Sequence, residues 1–173
     1  MKNKFIFIII TIFFISCFYV FYKGLNQSNI YIPQTMKEKN LPIFVAKDFY
    51  LGNEIDSREI FKDESFYIIN IWASWCLPCK KEHSILMKLS ESKSIKLIGL
   101  NYKDNLENAK KFLLELGNPY SYILIDQEGI VAVEFGAYGI PETYIVDKDK
   151  KIIKKFIGPL NNNSLKEIKL ITK

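Results

Sequence analysis

Apolar positions run almost unbroken at the front of the chain, then fall into short bursts, and between the bursts recur at intervals of three and four. Phe5 to Tyr22 is an 18-residue run relieved only by Thr11, Ser16 and Cys17. At about 1.5 Å per residue, that is enough to cross the hydrocarbon core of a bilayer. Phe66 to Trp72 (Phe-Tyr-Ile-Ile-Asn-Ile-Trp) is short, apolar and rich in aromatic and β-branched side chains, the pattern of a buried strand. Ser94 to Leu100 reads as the next strand. Cys79, Glu82, Ile85, Leu86 and Leu89 share one face of a helix predicted over Pro78 to Ser90. Leu106, Ala109, Phe112, Leu113 and Leu116 make a second helical stripe. Asp104 with Glu107 predicts its N-cap and capping box, and Gly117 with Pro119 its end. Strands alternating with helices predict a right-handed crossover and a parallel pair of strands.

On either side of this unit the pattern predicts hairpins. Leu41 to Tyr50, followed by the turn Leu51-Gly52-Asn53-Glu54, predicts an N-terminal hairpin, and Ser57 to Phe61 a short helical turn. Tyr120 to Ile125 predicts a short strand, ended by a turn at Asp126-Gln127-Glu128-Gly129. The strand-like run after Pro141 turns at Asp147-Lys148-Asp149-Lys150 and returns as Lys151 to Ile157. Ser164 to Thr172 closes the chain as a helix with Leu165, Ile168 and Ile171 inward. The predicted class is α/β: a central mixed β-sheet flanked by helices, with an N-terminal hairpin and an N-terminal transmembrane helix. The expected organisation is an anchor over residues 1–23, a polar tether over 24–40 and a domain over 41–173.

Charge changes this picture at the front only. Lys2, Lys4 and Lys23 are the charges of the first 23 residues, which leaves 21 bases against 19 acids in residues 24–173, a net of +2. A nearly neutral domain gives no reason to expect nucleic acid as a partner. Lys2 and Lys4 ahead of the apolar run keep the N-terminus inside and send the rest across, with Tyr19 and Tyr22 at one interface. The alternative is a cleaved signal, including a lipoprotein signal ending at Ile15-Ser16-Cys17. Against it, the apolar run continues past Cys17 and no small-x-small site follows. Either way the domain lies in an oxidising compartment, where a cysteine pair needs a dedicated donor to stay reduced.

Candidate chemistry sits where the central strand meets the first helix, at Ile71-Trp72-Ala73-Ser74-Trp75-Cys76-Leu77-Pro78-Cys79-Lys80. Two cysteines two residues apart can close a disulfide when the backbone turns tightly, as it does in a first helical turn. The free N–H groups and positive dipole end at a helix start stabilise an anion, and the thiolate is the reactive form of cysteine. Pro78 suits that turn, where a missing N–H costs nothing. Three other readings compete. A zinc site could use Cys76, Cys79 and His83, but a closed structural site wants a fourth ligand. A structural disulfide closing so short a loop removes little chain entropy. A peroxidase-type lone cysteine wants a hydroxyl or cationic partner ahead of it, and position 73 is alanine. Glu82, one turn after Cys79 on the apolar face, is a candidate to exchange a proton with the Cys79 sulfur, since a buried carboxylate tends to hold its proton. The alternative is a solvated Glu82 on the helix flank. His83 reads as a surface residue.

Trp75-Cys76-Leu77-Pro78-Cys79-Lys80, Glu82-His83 and Gly139-Ile140-Pro141-Glu142-Thr143-Tyr144 together resemble the thioredoxin superfamily. Within it the chain is similar to the membrane-anchored thiol-disulfide reductases of cytochrome c maturation, the CcmG/DsbE group, over about residues 41–173. The resemblance implies a thioredoxin-like fold and a protein-disulfide reductase that needs no cofactor and no metal. It implies that Cys76 attacks the substrate disulfide and Cys79 resolves the mixed disulfide. Pro141 would be cis and lie against the cysteine pair, leaving the Ile140 backbone to pair with a substrate peptide. Glu142 would join Glu82 as an acidic group near the sulfurs, its alternative being a solvated strand start. Trp75 would shield one side of the site, its alternative being core packing. The implied partners are apocytochrome c or another cysteine-containing protein, and a membrane electron donor of the DsbD/CcdA type. The implied location is the periplasmic side of the inner membrane. Leu77-Pro78 stands where thioredoxin has Gly-Pro, which leaves the reduction potential open. A broader TlpA/ResA-type reductase and a non-enzymatic binding module are the alternatives.

Overall fold

Tyr67 to Trp72 are buried on both faces, so their strand lies at the centre of the sheet rather than at an edge. A computed structural model describes residues 2–26, 39–62 and 66–173. In chain order the elements are α1 (Lys2–Asn26), β1 (Lys39–Asn40), β2 (Val45–Asp48), β3 (Glu54–Asp56), α2 (Ser57–Ile60), β4 (Phe66–Trp72), α3 (Leu77–Ser90), β5 (Ile95–Tyr102), α4 (Leu106–Leu116), β6 (Tyr122–Asp126), α5 (Ile130–Glu134), β7 (Glu142–Val146), β8 (Lys151–Ile157) and α6 (Asn162–Ile171). The chain divides into two units, Met1–Ile32 and Pro33–Lys173. In the first, α1 carries the stretch Ile6–Lys23, which is long and apolar enough to cross a membrane by length and composition. The helix runs on to Asn26, past the expected boundary at residue 23, and most of the expected tether lies outside the described residues.

In the second unit the strands form one eight-stranded sheet in the order β1-β8-β7-β4-β5-β6-β2-β3. β4 pairs parallel with β5, as the alternating pattern predicts, and β5 pairs parallel with β6 in turn, while β7 pairs antiparallel with β4 and with β8. The β2–β3 hairpin joins the far side through an antiparallel β2–β6 pairing. Along β4 the side chains alternate between two cores. Ile68 and Trp72 face a layer with Ile85, Leu86 and Leu89 of α3, Ala109, Phe112 and Leu113 of α4 and Ile168 of α6. Tyr67, Ile69 and Ile71 face the opposite layer, with Ile60 of α2, Val131 of α5, Phe135 and Tyr144. This period of two fixes which residues can reach α3.

Three details differ from the sequence reading. The cap of α4 is Asn105, whose side chain accepts from Asn108 N, because Asp104 is engaged with the loop after β4. α5 follows the turn that Gly129 makes in the left-handed region (φ 75°), a helix too short to show a periodic stripe. β1 extends the sheet back to Lys39, opposite Ile152.

Candidate active site

β4 ends at Trp72, and Ala73 to Trp75 carry the chain into α3 with Cys76 as its N-cap (φ −85°, ψ 105°). Cys79 lies within the first turn, its Cα 5.2 Å from that of Cys76, and the two sulfurs are bonded to each other. The Cys79 backbone N–H donates to Cys76 Sγ at 3.1 Å. That bond and the helix dipole both favour negative charge on Cys76 sulfur when the pair is reduced. Both cysteines are buried.

The loop ahead of Cys76 is tied down from outside α3. Asp104 is buried, and its carboxylate accepts from Ser74 N, Ser74 Oγ (2.7 Å), Asn101 Nδ2 (3.0 Å) and Asn105 N (2.8 Å). Trp75 Nε1 donates to the Lys103 carbonyl at 3.1 Å, and Lys103 holds φ at 44°, a conformation side chains rarely adopt. Trp75 itself is 59% exposed, so it is not a core residue; that role falls to Trp72, packed between Phe112 and Tyr120.

The second wall comes from β7. Ile71 pairs with Glu142, so Pro141 lies at the end of β4 from which the Cys76 loop departs. The Ile140–Pro141 peptide is cis. Ile140 is partly buried and packs against both cores, including the one that holds Cys76 and Cys79. Glu142 departs from both readings of it. Its position opposite Ile71 turns it toward the layer of Tyr144, away from α3, and it is 1% exposed. Its carboxylate meets Lys155 Nζ at 2.8 Å and accepts from Tyr144 OH at 2.7 Å and Tyr138 N at 2.9 Å. It is therefore an ion-paired group beneath the loop before Pro141, neither an acid presented to the sulfurs nor a solvated strand start. Burial, and then the Glu142 carboxylate, push the Tyr144 phenol far up from its ordinary pKa.

Glu82 is wholly buried, which removes the solvated alternative. It sits one turn after Cys79 on the same helix face, at the i, i+3 spacing that brings side chains together. Leu160 N donates to Oε2 at 2.7 Å and Asn70 Nδ2 to Oε1 at 2.9 Å. The Asn70 amide also donates to Thr143 Oγ1 at 3.0 Å and accepts from Tyr120 OH at 2.8 Å, so its NH2 is held toward Glu82. Burial pushes the Glu82 pKa up to about 7, against the opposing pull of Leu160 and Asn70. Burial, and then Glu82, push the Tyr120 phenol up. His83, expected at the surface, is instead buried, edge-on to Phe112, with Nε2 2.9 Å from the Gly117 carbonyl. A histidine beside an apolar stripe packs against the stripe of the next helix when α3 and α4 share a core. Burial lowers its pKa, which favours the neutral ring, and Nε2, a candidate zinc ligand, is committed to Gly117.

Cys76 and Cys79 are thus bonded to each other, with Glu82 one turn on along the same helix face, Trp75 exposed beside them, and Ile140 and Pro141 at the same end of the sheet. Sequence reasoning missed Asn70, Tyr120, Asp104 and Lys155. The one available signal was Asn70, a polar residue in the otherwise apolar run Phe66 to Trp72. A polar side chain in a buried strand needs a partner.

The Redoxin family model matches residues 36–169. The chain is 49% identical over 100 residues to thiol:disulfide interchange protein CycY of Rhizobium leguminosarum bv. viciae, covering 58% of this chain and about half (54%) of that relative's length. It is 36% identical over 159 residues to a "Probable thiol:disulfide interchange protein DsbE-2" of Pasteurella multocida, covering 92% of this chain and 82% of the relative. To thiol:disulfide interchange protein DsbE of Vibrio cholerae it is 36% identical over 129 residues, 75% of this chain and 69% of the relative. Among solved structures, a thioredoxin family thiol:disulfide interchange protein from Chlorobium tepidum TLS superposes with a TM-score of 0.65 at 19% identity, covering 79% of this chain and 97% of that one, a likeness of fold. StoA from Bacillus subtilis gives 0.60 at 25% identity, with 76% and 97% covered.

Proposed function

The chain belongs to the Redoxin family and, within it, to the CcmG/DsbE group of thiol-disulfide oxidoreductases, and from that premise we propose that its Cys76–Cys79 pair reduces the haem-binding cysteines of apocytochrome c. The observation that supports the reading best is the pairing of two environments at one helix start. Cys76 sulfur receives a backbone N–H, and Glu82, one turn further on, is a buried carboxyl with a pKa near 7. One sulfur is favoured as an anion, and the other has a group beside it able to take its proton.

In the proposed cycle the reduced Cys76 thiolate attacks one sulfur of the substrate disulfide. A Cys76–substrate bond forms, the substrate S–S bond breaks, and its electron pair leaves on the second substrate sulfur, which takes a proton from water. Cys79 then gives its proton to the Glu82 carboxylate and attacks Cys76 sulfur. The Cys76–Cys79 bond forms, and the first substrate sulfur departs with its electron pair and takes the proton back from Glu82. Two electrons have passed to the substrate, and a membrane dithiol donor of the DsbD/CcdA type restores the pair. The Ile140 backbone, next to Pro141, pairs with the substrate chain in strand fashion, and Trp75 covers one side of the sulfurs. α1 spans the inner membrane with Lys2 and Lys4 inside, which holds the domain on the periplasmic side.

Cys79→Ser provides the test, because it halts the cycle after the first attack. The variant is expected to accumulate a mixed disulfide between Cys76 and apocytochrome c, and a strain lacking the protein is expected to lose haem attachment to c-type cytochromes. Normal haem attachment in that strain, with mixed disulfides to other assembly proteins, would instead point to a broader reductase of the TlpA/ResA type.

A further inference from the structure

Lys155 is a lysine 5% exposed in a domain with little net charge, and it has no place in the thiol chemistry. It lies on β8 opposite Tyr144 of β7, on the face turned away from α3. Its Nζ is 2.8 Å from Glu142 Oε2 and 2.8 Å from the Gly136 carbonyl oxygen, to which it donates. The rings of Tyr138 and Tyr144 cover it, with centroids 4.6 and 5.2 Å from Nζ. Glu142 accepts from the Tyr138 backbone N–H through its other oxygen. The ion pair therefore grips the loop before Pro141 at two backbone points, the carbonyl of Gly136 and the amide of Tyr138.

A buried ion pair is a poor source of stability, since desolvation of the two charges offsets their attraction and an apolar pair of similar volume often serves as well. What it does supply is fixed direction: an ammonium and a carboxylate, each aimed at one peptide group. Ile140 lies two residues beyond the second anchored position, and Tyr138, 68% exposed, is held above Lys155 at the mouth of the loop.

We propose that Lys155 and Glu142 are positioning residues that hold the Gly136–Ile140 loop in the shape required to receive the substrate peptide. The inference rests on the reading of Ile140 and Pro141 as the substrate-pairing segment. Substrate binding needs the loop preorganised, whereas attack on a small disulfide needs the sulfurs alone.

The double variant Lys155→Met/Glu142→Met removes both anchors without leaving a lone buried charge. In the full-length protein it is expected to raise KM for a reduced-on-turnover protein disulfide by about tenfold or more. kcat and the rate with a small aromatic disulfide such as Ellman's reagent should stay within about twofold. Lys155→Gln/Glu142→Gln, a neutral pair that can still donate to Gly136 and accept from Tyr138, is expected to restore KM. Amide hydrogen exchange at Tyr138, followed by mass spectrometry, should move with KM across these variants. An unchanged KM in the Met pair, or a KM that rises while Tyr138 stays protected, would overturn the proposal. If the Met pair does not fold, the Gln pair decides: KM unchanged with Tyr138 protection lost overturns it. Failure of the wild type to turn over any protein disulfide would instead defeat the reading of the loop as a substrate segment.

Discussion

Glu82 shows how far burial can move one side chain. Its pKa rises from an ordinary 4.5 to about 7 because water is excluded, even though two donors favour its charged form. Between those values the folded protein holds a proton that the unfolded chain has released. The resulting stability is full below 4.5 and is lost as pH climbs through about 7. At about 1.36 kcal/mol per pH unit, the full swing is on the order of 3 kcal/mol. Denaturant melts of the oxidised protein from pH 4 to 8 are expected to show this decline, and Glu82→Gln to flatten it; equal slopes in both proteins would remove the carboxyl as its source. The same substitution is expected to flatten the dependence of thiol exchange on pH near 7. Asn70 contributes by direction: Tyr120 OH occupies its oxygen, which leaves the NH2 for Glu82.

At the scale of elements, the turn from β5 to α4 acts on the helix start of α3. Asp104 gathers four donors from Ser74, Asn101 and Asn105, and Lys103 offers its carbonyl to Trp75. Asp104→Ala would leave part-buried N–H groups without their acceptor, at a cost of about 2–4 kcal/mol. It would also free the loop ahead of Cys76, so thermal melts should shift downward together with a slower attack by Cys76 on a small disulfide. Ser74→Ala, which deletes one hydroxyl, is expected to cost only about 1 kcal/mol. Equal losses from the two substitutions would show that Asp104 works through the Ser74 hydroxyl alone. Packing is as exacting a strand away. A Cβ at Gly99 would come within 2.8 Å of Trp72 Nε1 and 2.9 Å of the Tyr120 ring, so the glycine is what lets Trp72 lie against Tyr120.

For the molecule as a whole, the apolar stretch Ile6–Lys23 of α1 is expected to keep the protein in the membrane pellet after alkaline carbonate extraction, and recovery in the supernatant would show that the segment is removed. Sequence by itself determined the alternation of strands and helices, the N-terminal hairpin, the faces that enter the core and the placing of Cys76 and Cys79 at a helix start. It could do so because hydrophobic periodicity is local and repeats several times within one element, so each element carries its own signal. Only tertiary structure decided which polar groups meet. Asn70 reaches Glu82 across 12 residues and Tyr120 across 50, Ser74 reaches Asp104 across 30, and Leu160 reaches Glu82 across 78. Such a contact is made once and has no period. The pairing of β4 with β7 and of β7 with β8 decides that Glu142 meets Lys155, and the core shared by α3 and α4 decides that His83 is buried against Phe112.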